Sequence, residues 1–509
     1  MTRTRKIVTM LASRKLNLDS TGCRAEQHIV RNFIFMPVFF CRSSGMRSSW
    51  LKFVLLSLSL AGWGVLPAQA AEALRNLVPN SELQVGSDGM PAGWHTWSPR
   101  SELMPKAAVV TNEGKPALSL TGDRFECYGQ WVSVVDGIES GKFYRFEVLS
   151  RAKDVVSEDL SVMVLLTWCR QNKGEGELQR DYVDLKRQEG AWCQHYRTIE
   201  APSGAKSVRV ELGLRSTQGG SVLWKDMQLT EVAPPASRTV RVVTTQIVPN
   251  VPSTIADNTR LMAQMLDAVG PQKPDVVLFS ENLVDRFVRL PIGEKVQPIP
   301  GPLTQVLSEK AKKYHTYIIT TLHERDENNL YHNTAVLIDR QGNIAGTYRK
   351  VHLALAEIDW GLTPGSTFPV FKTDFGRIGI LTCYDNWFLE TARMLRLNGA
   401  EMIFLPLAGD TSMHWDATAK ARAVDNGVYF ISSATVSDNQ SQVINPAGEV
   451  LAAATGKFSF AIKDIDLNQR WLVRYYSVAS GVGEPRSLVI KERRPDTYQA
   501  MVSDTATGQ

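Results

Sequence analysis

At 509 residues, with 43% hydrophobic and 21% charged side chains, the chain has ordinary globular composition and enough length for two or three domains. A net charge of +5 is small for that length, and no Lys/Arg stripe is visible, so neither nucleic-acid nor membrane-surface binding organises this sequence. The eight histidines show no His-x-x-x-His or similar ligand spacing, so no metal and no cofactor is implied.

The leading residues 1–45 are basic and are read as a mis-called start or an unstructured extension. Within 46–70, Arg47 and Lys52 precede an apolar run over 53–66, and Pro67-Ala68-Gln69-Ala70 follows. That order of basic, apolar and small residues is a secretory signal peptide, and the run is too short to span a bilayer comfortably. A secreted or periplasmic protein without a membrane span in its mature chain is expected. Three cysteines of the following region, Cys127, Cys169 and Cys193, would allow at most one bridge there, while Cys383 stands apart.

Residues 71–233 alternate apolar and polar positions, as at Tyr144, Phe146 and Val148 and again at Val208, Val210 and Leu212, with Gly, Pro and Ser clusters between. An antiparallel β-sandwich is expected. The opening Asn76-Leu77-Val78-Pro79-Asn80 and the later Trp224-Lys225-Asp226-Met227 resemble the edges of jelly-roll carbohydrate-binding modules. The resemblance implies a carbohydrate partner stacked on Trp94, Trp97, Tyr128, Trp131 or Trp168; the bland reading makes these core aromatics.

Past the stiff Pro234-Pro235 break the pattern changes to strands over 240–247, 276–279 and 317–321, with helices ending at Gly270 and Tyr314. A hairpin follows around Arg340-Gln341-Gly342-Asn343, then a strand over 378–382 and a helix face of Phe388, Ala392 and Leu395 that stops at Gly399. This alternation is α/β. Residues 476–509 form a C-terminal extension.

Three polar residues directly follow strand-like runs: Glu281, Lys350 and Cys383. A lone Cys after a strand is usually a small buried hydrophobe, and its partners decide otherwise. A carboxylate can take the thiol proton, an ammonium can stabilise thiolate and oxyanion, and the thiol can attack a carbon that bears nitrogen. Cys383 is expected on a strand-to-helix turn with Asp385 or Asn386 as N-cap, where helix-end amides favour a thiolate.

Taken with Leu278-Phe279-Ser280-Glu281-Asn282, Tyr348-Arg349-Lys350-Val351-His352 and Leu381-Thr382-Cys383-Tyr384-Asp385, the stretch 239–475 resembles the nitrilase superfamily of carbon-nitrogen hydrolases. Asn333-Thr334-Ala335, Ala421-Arg422-Ala423-Val424-Asp425-Asn426 and Asn445-Pro446-Ala447-Gly448 support it in the family order, with Asp425 standing where the family often has Glu. The resemblance implies an α/β four-layer α-β-β-α sandwich after the N-terminal all-β jelly-roll-like domain, and a homodimer or higher homo-oligomer. It implies Cys383 as nucleophile, Glu281 as general base and then acid, and Lys350 with the backbone N–H of Tyr384 as oxyanion holders. Glu357 matches a second glutamate that places substrate and water. Trp387, His414 and Trp415 are the candidates for the substrate pocket.

The reading Cys383-Tyr384-Asp385 favours an amide or carbamoyl substrate over a nitrile, because nitrilases of this family usually read Cys-Trp-Glu. An exported thiol hydrolase of small-molecule amides is therefore expected, passing through a Cys thioester. The alternatives are a nitrilase and an exported carbohydrate-binding protein whose hydrolase-like domain is inactive.

Overall fold

The computed structural model describes residues 75–409, 414–435, 440–474 and 482–503. The signal-peptide stretch 46–70 and the leader 1–45 lie outside the described residues, as do 410–413 of the loop before His414.

The alternating text of the first region makes two antiparallel sheets. One runs Trp94–Trp97, Tyr128–Asp136, Ser207–Arg215, Val162–Cys169, Glu177–Tyr182; the other runs Lys106–Asn112, Lys115–Thr121, Ser221–Val232, Phe143–Lys153, Trp192–Glu200, Leu185–Glu189. Inward positions of both sheets share one core, with Trp131, Trp168, Val208 and Val210 from the first and Tyr144, Phe146, Val148 and Trp224 from the second. Trp94, Trp131 and Trp168 are buried in or against this core, so they offer no ring face to a sugar. Of the aromatics named for stacking, Trp97 is the exposed one, at 44%, and it stands edge-on to Tyr128 at 6.0 Å. Cys127, Cys169 and Cys193 are all free thiols.

The second region holds two six-stranded sheets of matching plan. The first runs Ile344–Arg349, Tyr331–Ile338, Tyr317–Arg325, Val276–Leu278, Thr239–Ile247, Phe458–Asp466; the second runs Val370–Lys372, Arg377–Ile380, Met402–Leu407, Tyr429–Ala434, Ser441–Ile444, Val450–Ala454. In each, a parallel centre is flanked by antiparallel strands. Burial on both faces accounts for the short apolar runs. Val276 and Leu278 share a core with Ile378, Ile380, Met402 and Phe404 of the other sheet. The alternate residues Val277 and Phe279 pack on Met262, Leu266, Leu303 and Leu307 of helices Ile255–Val269 and Pro302–Tyr314. On the second sheet, Leu381, Ile403 and Leu405 meet Ala392, Leu395, Ala419 and Ala423 of helices Leu389–Leu397 and Trp415–Asn426.

The C-terminal helix Pro485–Lys491 packs on the N-terminal sheets, where Leu488 joins Met163, Leu165 and Tyr182. Arg197 donates to Tyr182 O at 2.9 Å, Asp184 at 3.1 Å and Ser487 at 2.8 Å, and also to Glu484. Arg470 donates to Glu484 at 3.0 Å and to Asp181. No helix of the described residues is long and apolar enough to cross a membrane.

Candidate active site

Sheet ends place the polar residues. Glu281 lies three residues beyond Val276–Leu278, Lys350 directly after Ile344–Arg349, and Cys383 three residues beyond Arg377–Ile380. The register then aligns their neighbours: His323 pairs with Asn333, and Lys350 N donates to Asn333 O at 2.8 Å, so three adjacent strands deliver one polar row. Glu281 N reaches across to Leu407 O at 3.3 Å, joining the ends of the two sheets.

Lys350 is 2% exposed and sits between two carboxylates, with Nζ 2.9 Å from Glu281 Oε1 and 2.7 Å from Glu357 Oε2. Asn333 Nδ2 donates to both as well, at 2.9 Å to Glu281 and 2.7 Å to Glu357. Glu281 Oε2 accepts from Ala408 N at 3.2 Å, and Glu357 Oε2 accepts from Ala354 N at 2.8 Å. Burial alone would raise the pKa of Glu281, but the Lys350 charge and hydrogen bonds from Lys350, Cys383 and Asn333 outweigh it and hold the carboxyl below its usual range. For Lys350, burial is overcome by Glu281, Cys383 and Glu357, and its pKa is pushed up. Burial and the Glu281 charge push the Cys383 thiol up against the opposing pull of Lys350. The resting arrangement is therefore an ionised carboxylate beside a neutral thiol, with a fixed ammonium at hand.

Cys383 has φ of +43°, a left-handed conformation that costs a non-glycine residue about 1–3 kcal/mol. What holds it is Asp385, fully buried, whose Oδ2 accepts from Tyr348 Oη at 2.6 Å and Thr382 N at 3.0 Å. Its Oδ1 lies 3.0 Å from both His352 N and His352 Nδ1, and the His352 ring stacks on Phe388 at 3.9 Å. Here the structure corrects the sequence expectation. Cys383–Trp387 form a tight helical turn of their own, and the α-helix starts only at Leu389 after Phe388, which makes no side-chain cap. Asp385 thus ties the nucleophile turn to the strand end that carries Lys350 instead of capping the long helix.

A cavity of about 530 Å³ opens over these groups, lined by Glu281, Lys350, Glu357, Cys383 and Tyr384 together with Asn282, Asp285, Arg286, Lys295, His323 and Trp360, among others. All its lining residues lie between 281 and 384. Trp387, His414 and Trp415 are not among them. Trp387 stands 47% exposed at the end of its turn, whereas Trp415 is buried with Leu381 and Ala419 because its helix turns that face to the sheet. His414 precedes that helix at its N-cap. The sequence reading missed Asp285 and His323, joined at 2.5 Å, and gave no role to Asn333. For Asn333 a signal existed, namely an amide in the polar opening of a strand that is apolar from Ala335 to Ile338. Asp285 and His323 are 38 residues apart and left none. Among the described residues no group of three or more His, Cys, Asp or Glu side chains is arranged to hold a metal ion.

At the ends of the two packed sheets a buried carboxylate and ammonium meet a half-buried thiol, and residues 239–475 match the carbon-nitrogen hydrolase family. The omega-amidase of Homo sapiens is 30% identical over 263 residues, covering 48% of this chain and 91% of its own. A probable nitrilase of Schizosaccharomyces pombe is 29% identical over 268 residues, covering 49% and 94%. Among solved structures, an amidase from Nesterenkonia sp. is 21% identical, covering 53% of this chain and 98% of that one, with a TM-score of 0.44. The chain belongs to the carbon-nitrogen hydrolase family of the nitrilase superfamily and is a carbon-nitrogen hydrolase.

Proposed function

We propose that the protein is an exported amidase that cleaves small-molecule amides through a thioester on Cys383. The observation that carries this reading is the convergence of Cys383, Glu281, Lys350 and Glu357 on one cavity. The Cys383 thiol passes its proton to Glu281 as sulfur attacks the amide carbonyl carbon. Lys350 Nζ and the Tyr384 backbone N–H stabilise the oxyanion. Collapse breaks the C–N bond, and Glu281 returns the proton to the leaving nitrogen. Water then gives a proton to Glu281 and attacks the thioester, the C–S bond breaks, and the proton goes back to sulfur. Glu357 holds Lys350 in place and orients substrate and water.

The same proposal reads the paired sheets and flanking helices as a four-layer α-β-β-α sandwich, and the apolar stretch over 53–66 as the export signal. Exposed Leu355 and Ile358, beside the cavity-lining Ala354, Ala356 and Glu357, fit a homodimer face.

Ammonia release should be measured over amides, carbamoyl compounds and nitriles, beside Cys383→Ala. Release from amides that disappears in the variant is expected. Turnover of nitriles alone, or amide turnover retained by Cys383→Ala, would reject the reading. N-terminal sequencing of the native protein tests export, with a start near Ala71 expected.

A further inference from the structure

We infer that Asn282, Asp285 and His323 form a latch that fixes the main chain beside Glu281 and so sets where the general base takes and delivers its proton. All three are positioning residues, and their role rests on the amidase reading for the identity of the leaving group.

Glu281 needs such a latch because of where its strand ends. Val276–Leu278 is the shortest strand of its sheet, three residues against nine in the neighbouring Tyr317–Arg325. The ladder to that neighbour continues to Phe279 N, which donates to Ile319 O at 2.9 Å. Glu281 N instead donates across to Leu407 of the other sheet, at a long 3.3 Å. The chain returns to Tyr317–Arg325 at Asn282, whose N donates to Thr321 Oγ1 at 2.6 Å and whose Nδ2 lies 3.2 Å from His323 Nε2. The base therefore hangs between two anchors on one strand, and the second of them depends on the side chains of Thr321 and His323.

That second anchor holds a conformation that would not hold itself. Asn282 has φ of +45°, a left-handed geometry that Asn tolerates better than most residues but that its surroundings must maintain. Its Oδ1 is buried without a partner, so contact with His323 rather than solvation sets the carboxamide. With Nδ2 donating to Nε2, the ring's single hydrogen lies on Nδ1, toward Asp285 Oδ2 at 2.5 Å. Asp285 N donates back to Asn282 O at 3.2 Å, which closes the ring of contacts. Asp285 and His323 are both buried, and Trp360 meets the imidazole edge-on at 6.3 Å. His323 also stands opposite Asn333 in the sheet register, and Asn333 Nδ2 donates to Glu281 Oε1 at 2.9 Å. One strand pair thus steadies both the main chain and the carboxylate of the base.

The consequence is chemical. Glu281 takes the thiol proton and then gives it to the leaving nitrogen, so a drift in its position weakens both transfers. An amide nitrogen does not leave without that proton, whereas p-nitrophenolate does. The test therefore compares kcat/KM for butyramide and for p-nitrophenyl butyrate in the wild type, in Asp285→Asn and in the double variant Asp285→Asn/His323→Phe, where the phenyl ring keeps the packing on Trp360 and no buried charge is stranded. The amide-to-ester ratio should fall by about tenfold to a hundredfold in the double variant, with the loss on the amide lying in kcat and not in KM. Asp285→Asn should lower it less, because the remaining side-chain oxygen still accepts from Nδ1–H without the charge. A ratio unchanged in the double variant, or lowered equally by Asp285→Asn alone, overturns the proposal. Because both substrates are measured on the same protein, partial misfolding cancels. If the wild type hydrolysed no amide, the amidase reading would fall, but alkylation of Cys383 by iodoacetamide would still read the latch, since Glu281 must take the thiol proton there too. Alkylation slowed by about tenfold in the double variant would support the latch, and equal rates would reject it.

Discussion

Replacing Lys350 with Met tests the electrostatics of the site most directly. The substitution keeps most of the buried stem and removes an ammonium that lies 2.9 Å from Glu281 and 2.7 Å from Glu357. What remains is two buried carboxylates bridged only by Asn333. Deleting one partner of a buried ion pair costs about 3–5 kcal/mol. At roughly 2–4 °C per kcal/mol for a unit of this size, the Tm of the hydrolase portion should fall by about 6–20 °C near neutral pH. The sign with pH is specific. In the wild type the folded pKa of Glu281 is depressed, so its contribution is present above the unfolded value and is lost as pH falls through the folded one. In Lys350→Met burial and the neighbouring Glu357 carboxylate are opposed only by the remaining hydrogen bonds from Cys383 and Asn333, and the folded pKa rises above the unfolded value. The variant then loses stability as pH rises through that folded pKa and recovers it on acidification. Differential scanning calorimetry should therefore show a wide Tm gap between the two proteins at about pH 8 and a narrow one at about pH 5. A gap equal at both, or below about 2 °C throughout, would refute the argument.

Cys383→Ala should lower kcat by at least about 10³-fold with an unchanged Tm, and intact mass of quenched wild-type enzyme should reveal an acyl adduct that the variant lacks. Since Glu281 is held below the usual carboxylate range and the thiol need not be ionised at rest, kcat/KM should stay flat through neutral pH and fall only in acid; a steep rise tracking an ordinary thiol pKa would contradict this. Asp385→Asn keeps the shape but turns an NH2 toward two of its four donors, so about 3–6 kcal/mol of charged hydrogen bonding is lost, and kcat should drop more than KM rises; normal kcat with normal Tm would deny Asp385 its positioning role. Arg197→Met strips Glu484 and Asp184 of their shared cation, so the C-terminal helix should become sensitive to limited proteolysis and kcat should fall severalfold as the helix it braces, Leu389–Leu397, loosens, although no cavity residue precedes Glu281.

Much of the catalytic frame could be read from the chain because strand ends are legible. The runs before Glu281 and Cys383 are short, apolar and buried, and the strand before Lys350 follows a hairpin turn, so each catalytic candidate falls within three residues of where a strand leaves its sheet. Helix stops at Gly270 and Gly399 were legible for the same local reason. The pocket wall was not. Trp387, His414 and Trp415 lie on or beside loops of the kind that shape pockets, but a helix starting at Trp415 turns that ring inward, and no local pattern says so. The wall comes instead from the segment 282–295 with His323 and Trp360, brought together by sheet order and register.

The N-terminal sheets illustrate a second limit, because their link to the site runs through contacts that sequence spacing cannot express. Arg197, Tyr182 and Asp184 grip the C-terminal helix through Glu484, Ser487 and Glu492. That helix in turn accepts from the helix after the nucleophile turn: Arg393 donates to Val489 O at 3.2 Å and Arg396 to Arg486 O at 2.7 Å. Leu389–Leu397 is therefore braced on both sides, by Leu381 and Ile403 of the sheet below and by the C-terminal helix at its flank. A left-handed Cys383 needs firm surroundings to persist, and Asp385 supplies them on one side only. The N-terminal sheets, although they give no atom to the cavity, stiffen the element into which the nucleophile turn runs, and this is a physical reason for the two regions to be carried on one chain.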